Sequence, residues 1–243
     1  MLDMSVHLVP MIYEFVISAF CLYFVILIGM RYKERRKPVV KYLFLFGVWL
    51  TAAILIAAVS RILRYTGVWI LNAGPPEKKL ELLALTVSFI AFSDIFLTAF
   101  ILEVFRDGAM TEENKRYIAI VGVFSGIFAA FAVVTGIFTE DLTDLIWLLL
   151  ILLSAPIYVL LIRSSFKLAA RLEDNLMKTS MKLIGIGGIS ILMVFIFFMI
   201  DAAVGGAYSP FYYIAWVFAV LSVVMLYIGV ISPDWFKERF KEE

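Results

Sequence analysis

The sequence predicts an all-α, polytopic integral membrane protein built as a bundle of seven transmembrane helices. The first reason is composition: of 243 residues, 63% are hydrophobic and 17% charged, and the mean hydropathy is +1.00. Soluble domains are about 45–50% apolar and about 25% charged. The second reason is that the apolar residues stand in seven continuous runs, each about 20 residues long, which as a helix crosses a hydrocarbon core of about 30 Å.

The breaks between the runs justify each helix in turn. No lysine or arginine precedes the first run and no cleavage site follows it, so we expect it to remain as a helix rather than be removed as a secretory signal. Charges, prolines or glycines mark each later junction, and all junctions are too short for a second domain. We therefore predict one domain over 1–243, with helices at about 10–30, 42–63, 82–104, 117–138, 145–165, 183–204 and 211–232.

Lysine and arginine predict the orientation. With the N-terminus outside, 17 of the 21 basic residues fall on the cytoplasmic side and 4 on the outer side. Cytoplasmic loops of membrane proteins carry such an excess. We therefore predict an outside N-terminus and a cytoplasmic C-terminus in the cell (plasma) membrane, with membrane lipids as partners.

Several kinds of chemistry are excluded by missing residues. His7 is the only histidine, which excludes bis-histidine haem, histidine-rich zinc sites and a Ser-His-Asp triad within one chain. No lysine lies in the middle of a predicted helix, so no Schiff base to retinal is expected. Nothing indicates nucleic-acid binding. We predict no metal, no cofactor, no catalytic residues and no enzymatic activity.

Asp94 interrupts the apolar run of the third predicted helix near the bilayer midplane. An ionisable group at that depth is costly and usually faces the interior of the bundle. Thr86 and Thr98 share its helix face and Ser93 borders it. Two interpretations stay open: a protonated aspartate that joins helices by hydrogen bonds, or a ligand, ion or proton site that includes Thr98.

A second group of polar and aromatic residues lies near the predicted outer ends of the helices. We predict that these residues line an outward-facing pocket with polar anchors and aromatic walls. The alternative is that they are an ordinary aromatic belt and snorkelling charges. The candidate ligand-binding residues are Glu14, Arg61, Asp201, Tyr212, Tyr213 and Trp216.

The segment 163–182 suggests a contact with a partner. Leucines recur in it at helical spacing between charges, so we expect the fifth helix to continue into the cytoplasm as an amphipathic extension. The candidate partner-facing residues are Lys167, Arg171, Leu172 and Leu176.

The chain resembles a known family at its end. The last helix closes with Leu226-Tyr-Ile-Gly-Val-Ile-Ser-Pro-Asp-Trp-Phe236 and a basic tail, and Leu172-Glu-Asp-Asn-Leu-Met-Lys178 precedes an apolar, glycine-rich helix. Both features, and the seven-helix layout, resemble the seven-transmembrane sensory modules at the N-terminus of some prokaryotic histidine kinases. Only six residues follow Lys237, so the resemblance implies an input module that signals to a separate chain.

Three functions are compatible with these observations. The favoured one is a receptor-like or sensory protein that binds a small or lipidic ligand in the outer half of the bundle and signals to a separate cytoplasmic or membrane partner. The second is a transporter or an ion or proton pathway that uses Asp94, because transporters place coupling sites near the midplane. The third is a non-catalytic structural or assembly subunit of a membrane complex.

Overall fold

The computed structural model describes residues 4–66, 81–106, 108–138, 143–204 and 208–240. Within those ranges the regular structure is helical throughout, with no strand. The helices are α1 (Met4–Arg35), α2 (Pro38–Thr66), α3 (Glu81–Phe105), α4 (Glu112–Phe138), α5 (Thr143–Ala169), α6 (Asn175–Ala203), α7 (Pro210–Ile231) and the short α8 (Asp234–Glu238). In the described residues, seven helices are long and apolar enough to cross a membrane. The chain is a multi-pass membrane protein.

All seven predicted helices are confirmed, and most extend beyond their apolar runs. The helix ends are determined by polar residues, which lie outside the apolar runs. The last turn of α1 carries Lys33 and Arg35, and cations are favourable at a helix C-terminus. In α7, Ser209 is the N-cap, with its side chain accepting a hydrogen bond from the Phe211 amide, and Pro210 stands at the first position.

The predicted extension of the fifth helix is much shorter than the segment 163–182 suggests. Helix α5 ends at Ala169, and α6 begins at Asn175, eight residues earlier than the predicted start. The reason is a cap: the Asp174 carboxylate accepts a hydrogen bond from the Met177 amide at 3.0 Å, which satisfies an N–H group at the start of α6. The two helices therefore form a hairpin with a short turn.

Helix α3 is the centre of the bundle. It packs on α2, α4 and α5, whereas α4 packs almost entirely on α3, and α1 closes the bundle against α7. In the membrane-spanning stretch of α3, 67% of the residues are buried, compared with 28% in that of α4. Polar side chains on α3 consequently have other helices, not lipid, around them.

Small residues bring α6 close to its two neighbours. A Cβ atom at Gly188 would lie 2.9 Å from Ile162 on α5, and one at Gly187 would lie 3.0 Å from Leu226 on α7. On α7, a Cβ at Gly229 would come within 2.8 Å of the Ser180 carbonyl oxygen. These glycines allow the close approach that is typical of small residues between membrane helices.

Candidate functional site: a buried polar link and a cavity

Asp94 forms a polar link between α3 and α5. Its side chain is completely buried. Ser154 Oγ donates to Asp94 Oδ2 at 2.5 Å, and Tyr158 Oη donates to Asp94 Oδ1 at 2.9 Å. Ser154 and Tyr158 stand one helical turn apart on α5, so both hydroxyls reach the same side. Both carboxyl oxygens are therefore hydrogen-bonded by protein side chains, as a buried polar group requires.

The hydroxyl groups near Asp94 on its own helix do not bind its carboxyl group. Thr98 donates to the Asp94 main-chain carbonyl at 2.8 Å, and Ser93 donates to the Ile90 carbonyl at 2.7 Å. Such bonds satisfy serine and threonine within their own helix. Thr98 therefore lies beside Asp94 but does not donate a hydrogen bond to its carboxyl group.

The bundle contains a partly open cavity of about 650 Å³, bordered by α1, α2, α3, α5, α6 and α7. Its walls are mostly apolar and aromatic, and a few polar groups stand among them. This volume and this composition are typical of sites for small molecules. The residues that shape it include Ile54, Ile90, Trp147, Ile151, Val194, Phe195, Phe198 and Ala219.

Polar groups gather where α1, α6 and α7 meet. Glu14 on α1 is completely buried, and Tyr212 Oη donates a hydrogen bond to Glu14 Oε1. Asp201 Oδ1 accepts from the Ser209 amide at 2.8 Å, which fastens the end of α6 to the N-cap of α7. Glu14, Asp201 and Tyr212 all line the cavity, so it has a distinct polar end.

The aromatic residues of the α7 region divide between two faces. Tyr208, Tyr212 and Trp216 follow one another at four-residue spacing and line the cavity. Tyr213 lies on another face: its carbonyl accepts a hydrogen bond from Tyr13 at 3.2 Å, and the two rings meet edge-on at 5.2 Å. The prediction that Tyr213 lines the pocket is thus wrong, because one residue along a helix turns the side chain by about 100°.

Tyr158 and Trp216 each bring a polar group to the cavity region. Tyr158 lines the cavity, stacks on Phe195 with ring centroids 5.6 Å apart, and donates to Asp94. Tyr158 therefore belongs both to the cavity wall and to the hydrogen-bonded link at Asp94. Trp216 Nε1 is buried and has no hydrogen-bond partner in the part of the chain that the structure describes.

The structure brings together part of the predicted site. Glu14, Asp201, Tyr212 and Trp216 border the cavity, whereas Asp94 and Thr98 lie outside its wall. Arg61 stands one turn after Ala57, a wall residue of α2, but its side chain is outside the described part of the structure.

Sequence reasoning missed the two α5 partners of Asp94. A signal was present: Ser154 and Tyr158 are two hydroxyl groups at four-residue spacing on either side of Pro156 in an apolar helix. That spacing places both on one face. It does not say which helix the face meets.

The candidate partner-facing residues surround the α5–α6 turn. Lys167 and Arg171 are exposed, and Leu172 and Leu176 are partly buried. Because α5 ends before Leu172, these four residues do not form one continuous helical stripe. Lys167 closes α5, and Leu176 stands in the first turn of α6.

No metal site accompanies the cavity in the described residues, where no group of three His, Cys, Asp or Glu side chains could hold an ion. Comparisons with protein-family models, curated proteins and solved structures find no match for this chain.

Proposed function

We propose that the chain is a receptor-like or sensory membrane protein that binds a small or lipidic ligand in the cavity and signals to a separate protein. The excess of basic residues supports an outside N-terminus in the plasma membrane, which puts the polar end of the cavity in the outer half of the bilayer. The observation that carries the proposal is the cavity itself: about 650 Å³ inside the bundle, with apolar and aromatic walls and polar groups at one end.

The link at Asp94 supports the signalling half of the proposal. Tyr158 touches both the cavity and Asp94, so a ligand that displaces the Tyr158 ring would also change the contact between α3 and α5. Binding shifts a conformational equilibrium when the ligand contacts two states differently. Helix α5 leads to the turn that carries Lys167 and Arg171, and these exposed cations would face a cytoplasmic or membrane partner.

The alternative of an ion or proton pathway depends on Asp94. Both of its carboxyl oxygens accept hydrogen bonds from α5, and the residue lies outside the cavity wall. That arrangement supports a role in joining helices more than a role in a conduction path. A structural or assembly subunit would need no cavity at all.

The test fills the cavity with a larger side chain. Ala219 lines the cavity on α7, so Ala219→Phe should occupy part of it, while Ala130→Phe, at an exposed position of α4, serves as the matched control. Each protein is released gently from its own membrane and examined by native mass spectrometry. We expect a small molecule to remain with the wild type and with Ala130→Phe, and to be lost from Ala219→Phe.

The same spectra can contradict the proposal. If the wild type carries no small molecule, or if all three proteins retain the same one, the cavity is not the binding site. A second polypeptide retained with no ligand would favour the structural subunit.

A further inference from the structure

The cavity is open sideways between α5 and α6. Leu148 on α5 and Met199 on α6 both line it, and each is 50% exposed, unlike most of the wall. Both residues lie within spanning segments. A side chain that belongs to the cavity wall and to the outer surface marks a mouth, and this mouth faces lipid.

The size of the side chains between α5 and α6 changes along the hairpin. Near their connection, α5 and α6 are held together by glycines: a Cβ at Gly185 would lie 2.8 Å from the Phe166 ring, and one at Gly188 would lie 2.9 Å from Ile162. Toward the other end, the α6 residues at the cavity are Phe195, Phe198 and Met199. Large side chains replace glycines, so the helices cannot approach as closely.

The cavity extends along α6. On that helix its wall runs from Ile191 to Ala203, which is about 18 Å at the rise of an α-helix. A volume of about 650 Å³ along such a wall suits one extended chain better than a compact solute.

The polar groups indicate where the head of such a molecule would lie. The carboxyl groups of Glu14 and Asp201 and the hydroxyls of Tyr208 and Tyr212 stand at one end of the cavity. Farther along the wall, the Trp216 indole N–H has no partner among the described residues. This nitrogen has almost no accessible surface, so Trp216 presents its ring, and not this donor, to the cavity.

We infer that the ligand is a single-chain amphiphile, with a hydroxyl-bearing head at the polar end of the cavity, and that it enters from the bilayer between α5 and α6. This inference rests on the proposed function, because it names the ligand class and the route of that same cavity. A polar ligand that arrives from water would leave the proposed function intact and overturn the inference.

Trp216 serves as the reporter in the experiment. The full-length chain, with every other tryptophan replaced by phenylalanine, is placed in phosphatidylcholine nanodiscs. Three quenchers are compared: a monoacylglycerol with a dibrominated acyl chain, a phosphatidylcholine with the same brominated chain, and acrylamide, which is water-soluble. If the single-tryptophan protein does not fold, the difference in fluorescence between wild type and Trp216→Phe supplies the same signal.

We expect the brominated monoacylglycerol to lower Trp216 fluorescence about twofold in a saturable way, because a pocket ligand is mostly enclosed by its lining. The brominated phosphatidylcholine at equal bromine content should have little effect, since Trp216 is 93% buried. Equal quenching by both lipids would mean that bulk lipid fills the cavity, and the inference would be overturned. Quenching by acrylamide alone would overturn the route but leave a water-accessible ligand site, whereas no quenching by any agent would remove the proposed function as well.

The route has its own control. Leu148→Phe combined with Met199→Phe should narrow the mouth and slow the quenching by the monoacylglycerol several-fold. Leu152→Phe is the matched control, since Leu152 stands one turn along α5, is 62% exposed and lies outside the cavity wall. An unchanged rate in the double variant, or equal slowing in the control, would contradict entry between α5 and α6.

Discussion

Replacing Asp94 with alanine should destabilise the bundle by removing the acceptor of two hydrogen bonds. Ser154 can compensate, because Ser18, Ser88 and Ser165 already donate to carbonyls in their own helices at 2.6–2.7 Å. Tyr158 compensates poorly, because its hydroxyl stands at the far end of a rigid ring and cannot reach a carbonyl of its own helix. Leaving such a donor unpaired costs about 1–3 kcal/mol, while single hydrogen bonds between membrane helices average about 0.6 kcal/mol. We therefore expect a loss of about 2 kcal/mol.

The measurement is equilibrium unfolding in mixed micelles, followed by circular dichroism. Thr98→Val is the matched control, because it removes a buried hydroxyl one turn away that bonds only to its own helix, and it should cost about 0.5 kcal/mol or less. In a double-mutant cycle, Tyr158→Phe should have a smaller effect in the Asp94→Ala background than in the wild type. If Asp94→Ala costs no more than Thr98→Val, or if the cycle is additive, Asp94 does not join α3 to α5.

Two further substitutions test the packing and the polar end of the cavity. Gly229→Ala should destabilise the protein by about 1–3 kcal/mol, because the new methyl group would lie 2.8 Å from a main-chain oxygen of α6. The control Gly126→Ala has nothing within 4 Å of the new methyl group and should be neutral or stabilising. Equal losses of stability in the same unfolding assay would contradict the close contact at Gly229. Tyr212→Phe removes a hydrogen-bond donor to the completely buried Glu14 and should lower the stability of the protein by about 1–3 kcal/mol. Tyr13→Phe should lower it less, because the Tyr13 hydroxyl bonds to a partly buried carbonyl. A lower melting temperature for Tyr13→Phe than for Tyr212→Phe would argue against a buried Glu14.

The number and the positions of the spanning helices could be read from the sequence, because hydropathy and length are local properties. Helix ends were less accessible. The cap at Asp174 brings the start of α6 to Asn175, although Arg171, Glu173 and Lys178 nearby resemble the charges of a solvated extension. A single hydrogen bond between a side chain and the backbone determines such a boundary, and the average hydropathy of a segment carries no information about that bond.

The candidate site divides in the same way. That Asp94 faces inward followed from its cost in lipid, and the structure shows α3 at the centre of the bundle. That its partners are Ser154 and Tyr158, about 60 residues later in the chain, depends on which helices touch and how each is rotated. Tyr212 and Tyr213 show the same limit, since only the rotation of α7 places one at the cavity and the other against α1.

The sequence by itself determined that the chain crosses a membrane seven times and that a few ionisable groups lie inside the bundle, because transfer of each residue between water and lipid is a property of that residue and its neighbours along the chain. Only the tertiary structure decided that Asp94 binds α5 and that Glu14 and Asp201 share one cavity. Those features arise from packing between helices, where lipid tails are as apolar as leucine and hydropathy does not discriminate one neighbour from another.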